Sequence, residues 1–564
     1  MSFDLLIKNG TVVDGSGGVP FRSDVGITEG RIVAIGRLSE RATHTIDAEG
    51  HVVTPGFVDG HTHMDAQIFW DPIGSCSCYH GVTSVIMGNC GFTLAPCAKA
   101  DADLVFRNLE RAEDLSRDAM LTGIDWTWET FPEYLNTLET LPKGINYGGY
   151  IGHSAIRTYV MGERAFSDEA TDDDIRKMRA LVKEGVSAGA RGFSSSRTIH
   201  HTTADDKPVA SRLATWDELR ALVGELGKLG KGVFEIAGEG PSPRDPEKLL
   251  DYQRRLRDLA VETGVTQTWG LFSNRAAPEL WRSYTELLDE TAKAGGRMVA
   301  QVHTRGLDTM LSFESNTPFD NWEYWRDFRA LSLEEQKVKL RDPGVKAKLV
   351  EVASQPYQGP KVVGAEPRPP RWDLIYAMTD MQYDKPSMSQ IAKERGVHPV
   401  ELMIDMALER DFKLFFRSPL ANEDMDEVIK LIKHPRSVVT FSDSGAHVSQ
   451  IMDSSLQTHL MSYWFREKQA ITLEQAVREV TYNPSTIWGL HDRGLVREGL
   501  IADLLVFDPD TIGPSMPEVV RDLPAGALRI KQTAMGIKNV IVNGEILLTK
   551  NQYSGATPGR LLRS

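Results

Sequence analysis

Residues 54–65 read TPGFVDGHTHMD, and this stretch decides how the rest of the chain is organised. An apolar run ends at Val58, and the polar run DGHTH (59–63) follows it directly. Side chains alternate between the two faces of an extended strand, so His61 and His63 point the same way, about 7 Å apart. Two imidazoles at this spacing suit one shared cation, and zinc accepts neutral histidine nitrogen. The simpler interpretation is a polar strand end with two solvated histidines, but α/β folds keep their ligands where buried strands end.

Composition and charge limit the classes of function that this chain can serve. The 564 residues are 41% hydrophobic and 25% charged, an ordinary globular composition with ample material for a core. A net charge of −14 and a pI near 5.6 repel phosphate backbones and argue against a nucleic-acid partner. No apolar run reaches the roughly 18 to 20 residues of a membrane helix, and MSFDLLIKNG lacks the features of a signal peptide. We therefore expect a cytoplasmic protein with a small-molecule substrate and no membrane partner, and its oligomeric state, a homo-oligomer included, stays open.

After the opening stretch, apolar strand-like segments alternate with helical segments as far as about residue 490. This alternation is the pattern of a parallel sheet with crossover helices. The predicted helices include 172–189 and 215–230, and Thr215 is a favourable residue to start the second. Eight strands are predicted, at 56–60, 81–88, 145–152, 190–196, 231–238, 265–272, 297–303 and 437–443. Eight βα units predict a TIM-like (β/α)8 barrel, an α/β fold whose sites lie at the C-terminal ends of its strands.

The two ends of the chain have an all-β character. Short β-branched segments within residues 3–53 are separated by the turn signals Asn9-Gly10 and Glu29-Gly30. Strand-like segments return at 502–508 and 538–548, the second of which contains the hairpin signal Asn543-Gly544. We expect the two ends to complete one small β-sandwich.

These patterns predict a division of the chain into three stretches. Residues 1–54 and 490–564 form the two parts of the sandwich, and residues 55–489 form the barrel. An insertion at about 313–435 separates the seventh and eighth strands. Its proline-rich stretch 354–372 predicts a loop or lid near the barrel mouth.

Four cysteines lie within a short part of the sequence, at Cys76, Cys78, Cys90 and Cys97. A disulfide scaffold needs many more cysteines in a much shorter chain. The Cys76-x-Cys78 pair lacks a second pair with which to build a metal site, so we interpret it as structural. Cys90 follows Gly88 and Asn89, which suit a sharp turn after a strand, and a lone buried cysteine is usually a small hydrophobe.

Asp443 ends an apolar strand in the segment SVVTFSD (437–443). Hydrolysis of an amide at neutral pH needs a strong nucleophile and a polarised carbonyl, and zinc supplies both because it lowers the pKa of its water from 15.7 to roughly 7. A carboxylate beside that water takes its proton and delivers it to the leaving nitrogen. Because Asp443 falls at the eighth strand, we interpret it as metal ligand and base rather than as a helix N-cap, the other role that SDSG suits.

Five motifs in combination resemble the amidohydrolase superfamily. They are PGFVDGHTHMD (55–65), GVTSVIMGNCGFTLAP (81–96), IGHSAIR (151–157), FSDSGAH (441–447) and GLIADLLVFD (499–508). The combination of H-x-H with GNCG is similar to the D-aminoacylase (N-acyl-D-amino-acid deacylase) branch, and the resemblance covers nearly the whole chain.

The resemblance implies a metal-dependent hydrolase of a carbon–nitrogen bond. His61 and His63 match the metal ligands of the first strand, and Cys90 matches the cysteine ligand of the second. Asp443 matches the aspartate that binds metal and serves as general base. His153 stands where the family keeps a histidine near the substrate, and a satisfied core histidine is the alternative.

Departures from the family bear on metal and substrate. The fifth and sixth strands, in VFEIAGEG and TQTWGLF, contain no histidine where D-aminoacylases place metal ligands. The carboxylated lysine that bridges metals in other branches of the superfamily is also missing, since ARGFSSSR contains no lysine. LFSNR offers only Arg275 where the D-aminoacylase branch has a lysine for the substrate carboxylate. We therefore expect one tightly held zinc ion on His61, His63 and Asp443, with Cys90 joining or replacing one of them, and a second ion that is weak or absent.

Other candidate residues fall at the functional end of the barrel by the strand count. Glu235 and Glu239 share a face of the fifth strand, so they are candidate oxygen ligands for a second metal. The pair His200–His201 follows the fourth strand, and at most one of the two reaches the pocket if the chain is extended there. We predict catalytic roles for Asp443 and His153 and substrate-binding roles for His303, His201 and Arg275. Trp126 and Trp128 are predicted to pack a helix or lid, and the alternative is that they line an apolar acyl pocket.

The sequence thus predicts a zinc-dependent amidohydrolase that cleaves the amide bond of an N-acylated amino acid or a similar small amide. The missing lysine predicts poor activity on short N-acetyl-D-amino acids and a preference for a bulkier or aromatic amide. Two alternatives stay open, namely hydrolysis of a lactone, carbamate or cyclic amide on the same scaffold, and a non-catalytic protein built on it.

Overall fold

All eight predicted barrel strands are present in the computed structural model, which describes residues 2–356, 370–451 and 453–564. They form one parallel sheet in which neighbours in the chain are neighbours in space. Numbered one to eight along the chain, the barrel strands are Phe57–Asp59, Val82–Met87, Asn146–Gly152, Gly192–Ser196, Val233–Ala237, Thr266–Gly270, Met298–Val302 and Ser437–Val439. Each lies inside its predicted range, and the predicted (β/α)8 class is confirmed.

The barrel closes just beyond the ends of strands eight and one. Thr62 and Ser444 form a parallel bridge. The backbone N–H of Asp443 donates to the carbonyl of His61 at 3.1 Å, and that of His63 donates to the carbonyl of Ser444 at 2.8 Å. This closure sets the histidines after strand one directly against the aspartate after strand eight.

Several helices around the barrel begin after a residue whose side chain caps their first turn. The hydroxyl of Thr171 accepts from Asp174 N, and that of Thr215 accepts from Glu218 N, as predicted for the second helix. The α-helices of this part are Ser75–Cys78, Ala102–Leu109, Arg117–Gly123, Phe131–Thr140, His153–Met161, Asp172–Ala188, Trp216–Leu229, Pro246–Thr263, Leu280–Lys293, Met425–Ile432, Leu456–His459, Leu473–Val480 and Tyr482–Ile487, and a π-helix spans Leu460–Glu467. Their apolar faces and the strands share one large core, to which Trp126 and Trp128 belong.

The two chain ends meet in one nine-stranded sheet. Its strands are Phe3–Val12, Phe21–Thr28, Arg31–Gly36, Ala42–Asp47, Val52–Pro55, Leu504–Phe507, Ile537–Val542, Glu545–Thr549 and Gln552–Tyr553. Phe3–Val12 pairs with three others, so the sheet divides into two arms there. Side chains of both arms, such as Ile7, Val25 and Val506, share one apolar core, which agrees with the predicted sandwich. Two short ribbons complete the C-terminal part, Gly513–Pro514 with Ala534–Met535 and Glu518–Val520 with Arg529–Lys531.

Two of the three predicted turns are present. Glu29 and Gly30 take φ angles of 50° and 75° between paired strands, and Asn543 and Gly544 take 47° and 83°. The prediction of a turn at Asn9-Gly10 is wrong, because both residues lie inside the strand Phe3–Val12. The register of this strand with Phe21–Thr28 shifts at that point. Asn9 has φ 64°, so an Asn-Gly pair serves a β-bulge here rather than a hairpin.

The stretch between strands seven and eight forms a sheet and a helical layer with a core of their own. The antiparallel strands are Leu307–Leu311, Tyr376–Ala377 and Phe416–Ala421, so the first precedes the expected start at about residue 313. The helices are Glu323–Arg329, Leu333–Lys339, Pro343–Ala353, Met388–Arg395 and Pro399–Glu409. Phe313, Trp325 and Leu349 are among its buried residues. Most of the predicted loop at 354–372 lies outside the described residues.

Among the described residues, no helix combines the length and the apolar character needed to cross a membrane.

Candidate metal centre

The four residues predicted as metal ligands lie together at the closure of the barrel. Cys90 Sγ is 3.6 Å from His61 Nε2, and Asp443 Oδ1 is 3.6 Å from the same nitrogen. His63 Nε2 is 3.1 Å from Asp443 Oδ1. The imidazoles and the thiol are buried, and the Asp443 side chain is 14% exposed, so Asp443 faces the open side of the cluster.

Sharp backbone turns present the cysteine and the aspartate. Cys90 has φ 56° and Asp443 has φ 55°, in the left-handed region that costs a non-glycine residue about 1–3 kcal/mol. The N–H of Cys90 donates to Glu235 Oε2 at 2.7 Å, which fixes the turn after strand two against strand five. Backbone held in such conformations is common where side chains are aimed at a ligand.

Glu113 is the member of the cluster that the sequence reasoning missed. Its Oε2 lies 3.5 Å from His63 Nε2 and 3.8 Å from His447 Nε2, and its Oε1 lies 3.9 Å from His201 Nε2. The N–H of His447 donates to the carbonyl of Glu113 at 2.7 Å, which ties this loop to the loop after strand eight. Glu113 stands in the charged run RNLERAEDLSRD (107–118), which resembles a solvated surface, and no motif marks it.

A second residue that sequence reasoning missed is Gln301 of strand seven. Its side-chain oxygen lies 2.7 Å from Nδ1 of His61, and an amide oxygen only accepts, so Nδ1 carries the proton. Nε2 of His61 is then an acceptor that faces Cys90 and Asp443. This partner orients the ring in the manner usual for a metal-binding histidine.

Burial and charge together set the protonation of these groups. Burial lowers the pKa of His61 to about 3, so its imidazole is neutral at pH 7. Burial also lowers the pKa of His63, but the carboxylates of Glu113 and Asp443 outweigh burial and raise the value to about 9. Burial raises the pKa of Glu113 and that of Glu235 to about 8. Carboxylates this deep hold their protons unless a positive charge lies beside them, and a divalent cation supplies such a charge.

The donor set fits a transition metal. Within the described part of the chain, neither ring nitrogen of His63 makes a hydrogen bond, although its side chain is 2% exposed. Thiolate, imidazole and carboxylate in combination are ligands that zinc takes. Among the described residues, the ligand atoms of each of three trios lie within 4.8 Å of one another, namely His61–His63–Cys90, His63–Glu113–Asp443 and Cys90–Glu113–His201.

The remaining predicted residues are placed differently. His153 is fully buried, and its Nδ1 and Nε2 lie 2.9 Å from Ser195 Oγ and Glu218 Oε1, a placement that favours a structural role. Its catalytic role stays a prediction. Nδ1 of His303 accepts from the N–H of Arg305 at 3.2 Å. Arg275 is 55% exposed, pairs with Asp373 at 3.5 Å and belongs to none of the trios described above.

The candidate oxygen ligands of strand five are also separated. Glu235 reaches the cluster through Cys90 N and lies 3.9 Å from His61 Nδ1. Glu239 instead accepts from Arg197 Nε at 2.6 Å and from Trp216 Nε1 at 3.0 Å. The tryptophans pack as predicted, with Trp126 and Trp128 stacked at 4.6 Å between ring centroids.

Comparisons with known proteins agree with this picture. The sequence model described as "Amidohydrolase family" matches residues 44–548. A D-aminoacylase of Alcaligenes xylosoxydans xylosoxydans is 26% identical over 99% of this chain and 97% of its own, and an uncharacterised protein of Mycobacterium tuberculosis is 28% identical over 92% and 86%. A crystal structure of N-acyl-D-glutamate deacylase from Bordetella bronchiseptica, complexed with zinc and a phosphonate inhibitor, superposes over the full length of both chains with a TM-score of 0.65 and 21% identity. That likeness establishes the shared fold.

Proposed function

We propose, because this chain belongs to the amidohydrolase family and to its D-aminoacylase-like branch, that it is a zinc-dependent hydrolase of an N-acylated amino acid or a similar small amide. The family establishes metal-dependent hydrolysis of a non-peptide carbon–nitrogen bond as the class of reaction. One observation carries the finer proposal. The side chains of His61, His63, Cys90 and Asp443 lie together at the barrel closure.

One zinc ion would be held by His61, His63 and Asp443, with Cys90 as a further ligand. Zinc in a hydrolytic site polarises a carbonyl and lowers the pKa of water to roughly 7. Gln301 keeps Nε2 of His61 available as a donor to the metal, and Glu235 fixes the backbone turn that carries Cys90.

Asp443 is the residue placed to move a proton. Burial alone raises its pKa, but His63 and His61 outweigh burial and hold the pKa of Asp443 below its usual range. The ionised carboxylate, on the open side of the cluster, accepts a proton from the attacking water and returns it to the leaving nitrogen.

The substrate proposal rests on the residue that replaces the carboxylate-binding lysine of the branch. Arg275 pairs with Asp373 at the surface, so within the described residues it does not supply that charge at the cluster. A small substrate that is recognised mainly through its carboxylate therefore lacks its main contact with the protein. We propose that bulkier or aromatic amides are preferred.

A substrate panel tests this function. Zinc-loaded protein is assayed on N-acetyl-D-amino acids, bulkier acyl and aryl amides, and lactones, with Asp443→Asn as the inactive control. We expect turnover of amides, fastest for a bulky one, and loss of it in the variant. Activity confined to esters or lactones would refute the deacylase proposal, and N-acetyl-D-methionine as the best substrate would refute the stated preference.

The metal proposal has its own measurement. Elemental analysis after extensive dialysis is expected to give one zinc per chain for the parent and a reduced content for Asp443→Ala. Two zinc ions that both survive dialysis would contradict the single tight site, and full activity in Asp443→Ala would contradict its role.

A further inference from the structure

We propose that Cys90, Glu113 and His201 form a second, weaker divalent-cation site, so that the full centre holds two ions joined through Cys90. This inference rests on the proposed metal-dependent function but assigns the second ion to residues from the loops after strands two and four. Strands five and six, where D-aminoacylases place metal-binding histidines, do not supply the ligands of this second site.

The three donor atoms are already assembled. Cys90 Sγ, one oxygen of Glu113 and one nitrogen of His201 lie within 4.8 Å of one another. His201 Nδ1 is 2.8 Å from Ser196 Oγ, which leaves Nε2 directed at Glu113 Oε1 at 3.9 Å. An imidazole fixed by a hydrogen bond at one nitrogen is the usual arrangement for a ligand that binds metal through the other.

Glu113 is the independent sign of a ligand here. Its side chain is 2% exposed, and within the described chain Oε1 has no hydrogen-bond partner. A buried carboxylate oxygen without a donor is unfavourable, and a cation between Oε1 and His201 would satisfy it. The two carboxylate oxygens of Glu113 face different residues, because Oε2 faces His63 and Oε1 faces His201.

The alternative oxygen ligands of strand five are less suitable for the second ion. Glu239 is held by Arg197 and Trp216, and Glu235 accepts from Cys90 N. Because Cys90 is shared with the first ion, the second ion has only Glu113 and His201 as donors of its own, so we expect it to exchange more readily than the first, which has His61, His63 and Asp443.

Cadmium titration of metal-stripped full-length protein tests the assignment. Thiolate-to-cadmium absorption reports binding at Cys90, and equilibrium dialysis with elemental analysis gives the number of ions. We expect two equivalents at saturation for the parent, with a larger Kd for the second. Glu113→Gln and, separately, His201→Asn should keep the first equivalent and lose the second.

Matched controls sit beside each variant in the chain. Glu110→Gln removes a partly exposed carboxylate from the same loop, and His200→Asn removes the exposed neighbour of His201. Both controls should retain two equivalents, and circular dichroism should establish that every variant is folded. His201→Asn, at a partly exposed position, serves if Glu113→Gln does not fold.

Failure of the second-site proposal can be distinguished from failure of the proposed function. Two equivalents in both Glu113→Gln and His201→Asn would overturn the second site. A parent that saturates at one equivalent, weakened by either substitution, would place Glu113 and His201 in the first site instead. A parent that binds no ion, with His61→Asn indistinguishable from it, would overturn the proposed function itself.

Discussion

At the scale of single residues, the orientation of His61 depends on one amide. Gln301 is buried on strand seven, and its oxygen lies 2.7 Å from His61 Nδ1. Partners of this kind fix the tautomer and raise the basicity of the ligand nitrogen. They carry no sequence signature, because an amide inside an apolar strand resembles any other buried polar residue.

Gln301→Met should therefore weaken metal binding without unfolding the barrel. The volume of the side chain is nearly kept, but Nδ1 of His61 loses its acceptor, and affinity should fall by about 10–100-fold. Competition with a chromophoric chelator measures the change. Gln253→Met, at a buried glutamine that bonds Ser283 at 2.9 Å instead, is the control and should bind as the parent does. Equal affinity in the two variants would contradict the role of Gln301.

The buried trio of His153, Arg157 and Glu218 supports a second prediction at this scale. All three side chains are fully buried, and Arg157 and His153 both contact Glu218 Oε1. Glu218→Gln leaves the guanidinium of Arg157 buried without its counter-charge, which should cost about 3–5 kcal/mol. Glu225→Gln, which breaks a pair with the half-exposed Arg179, should cost no more than about 1 kcal/mol. Urea or thermal unfolding of the two variants provides the comparison, and equal losses would refute it.

The same carboxylate predicts how stability varies with acid. Burial raises the pKa of Glu218, but His153 and Arg157 outweigh burial and hold it below its usual value. A depressed folded-state pKa contributes stability that is present above the unfolded pKa of about 4.3 and is lost as the pH falls through the folded value. The parent should thus lose more stability below pH 4.3 than Glu218→Gln does. Parallel acid profiles in the two proteins would contradict this contribution.

At the scale of elements, strand alternation predicted the pairing of His61 with His63, and the strand count predicted that Asp443 would join them. Sequence could not predict Glu113, because its position depends on a loop that is tied to His447 by a backbone hydrogen bond. The sequence also could not distinguish a hairpin turn from a β-bulge at Asn9-Gly10, since both need a residue with positive φ.

The closure between strands eight and one depends on a glycine at Gly445. It has φ 98°, and a Cβ there would lie 2.4 Å from the carbonyl oxygen of His63, a backbone atom that cannot move aside alone. Gly445→Ala should therefore displace the loop that carries Asp443 and lower both stability and metal affinity. Gly499→Ala is the control, because Gly499 has φ 88° but open space around it, so only backbone strain of about 1–2 kcal/mol applies. Chelator competition should show weaker binding for Gly445→Ala alone, and parent-like binding there would refute the effect of the close contact.

At the scale of the whole molecule, the fold was predictable because both periodicities run cleanly through the sequence. Buried strands such as Val82–Met87 are mostly apolar and buried along their whole length, whereas strands of the chain ends such as Phe3–Val12 mix buried and exposed positions. The insertion was less predictable, because its core of Phe313, Trp325 and Leu349 is interrupted by polar segments and obeys no repeat.

The cluster also links distant parts of the chain, and this predicts that metal stabilises the whole barrel. Its ligands come from the loops after strands one, two and eight, so a cation bound there joins the first strands of the barrel to the last. A ligand that binds only the folded state adds stability, about 2.7 kcal/mol at a free concentration of 100 times its Kd. Chelation should therefore lower the melting temperature of the parent, and added zinc should restore it. His61→Asn, which lacks a ligand, should melt at nearly the same temperature with and without chelator. If neither chelator nor added zinc changes the melting temperature of the parent, the barrel closure is stable without the ion.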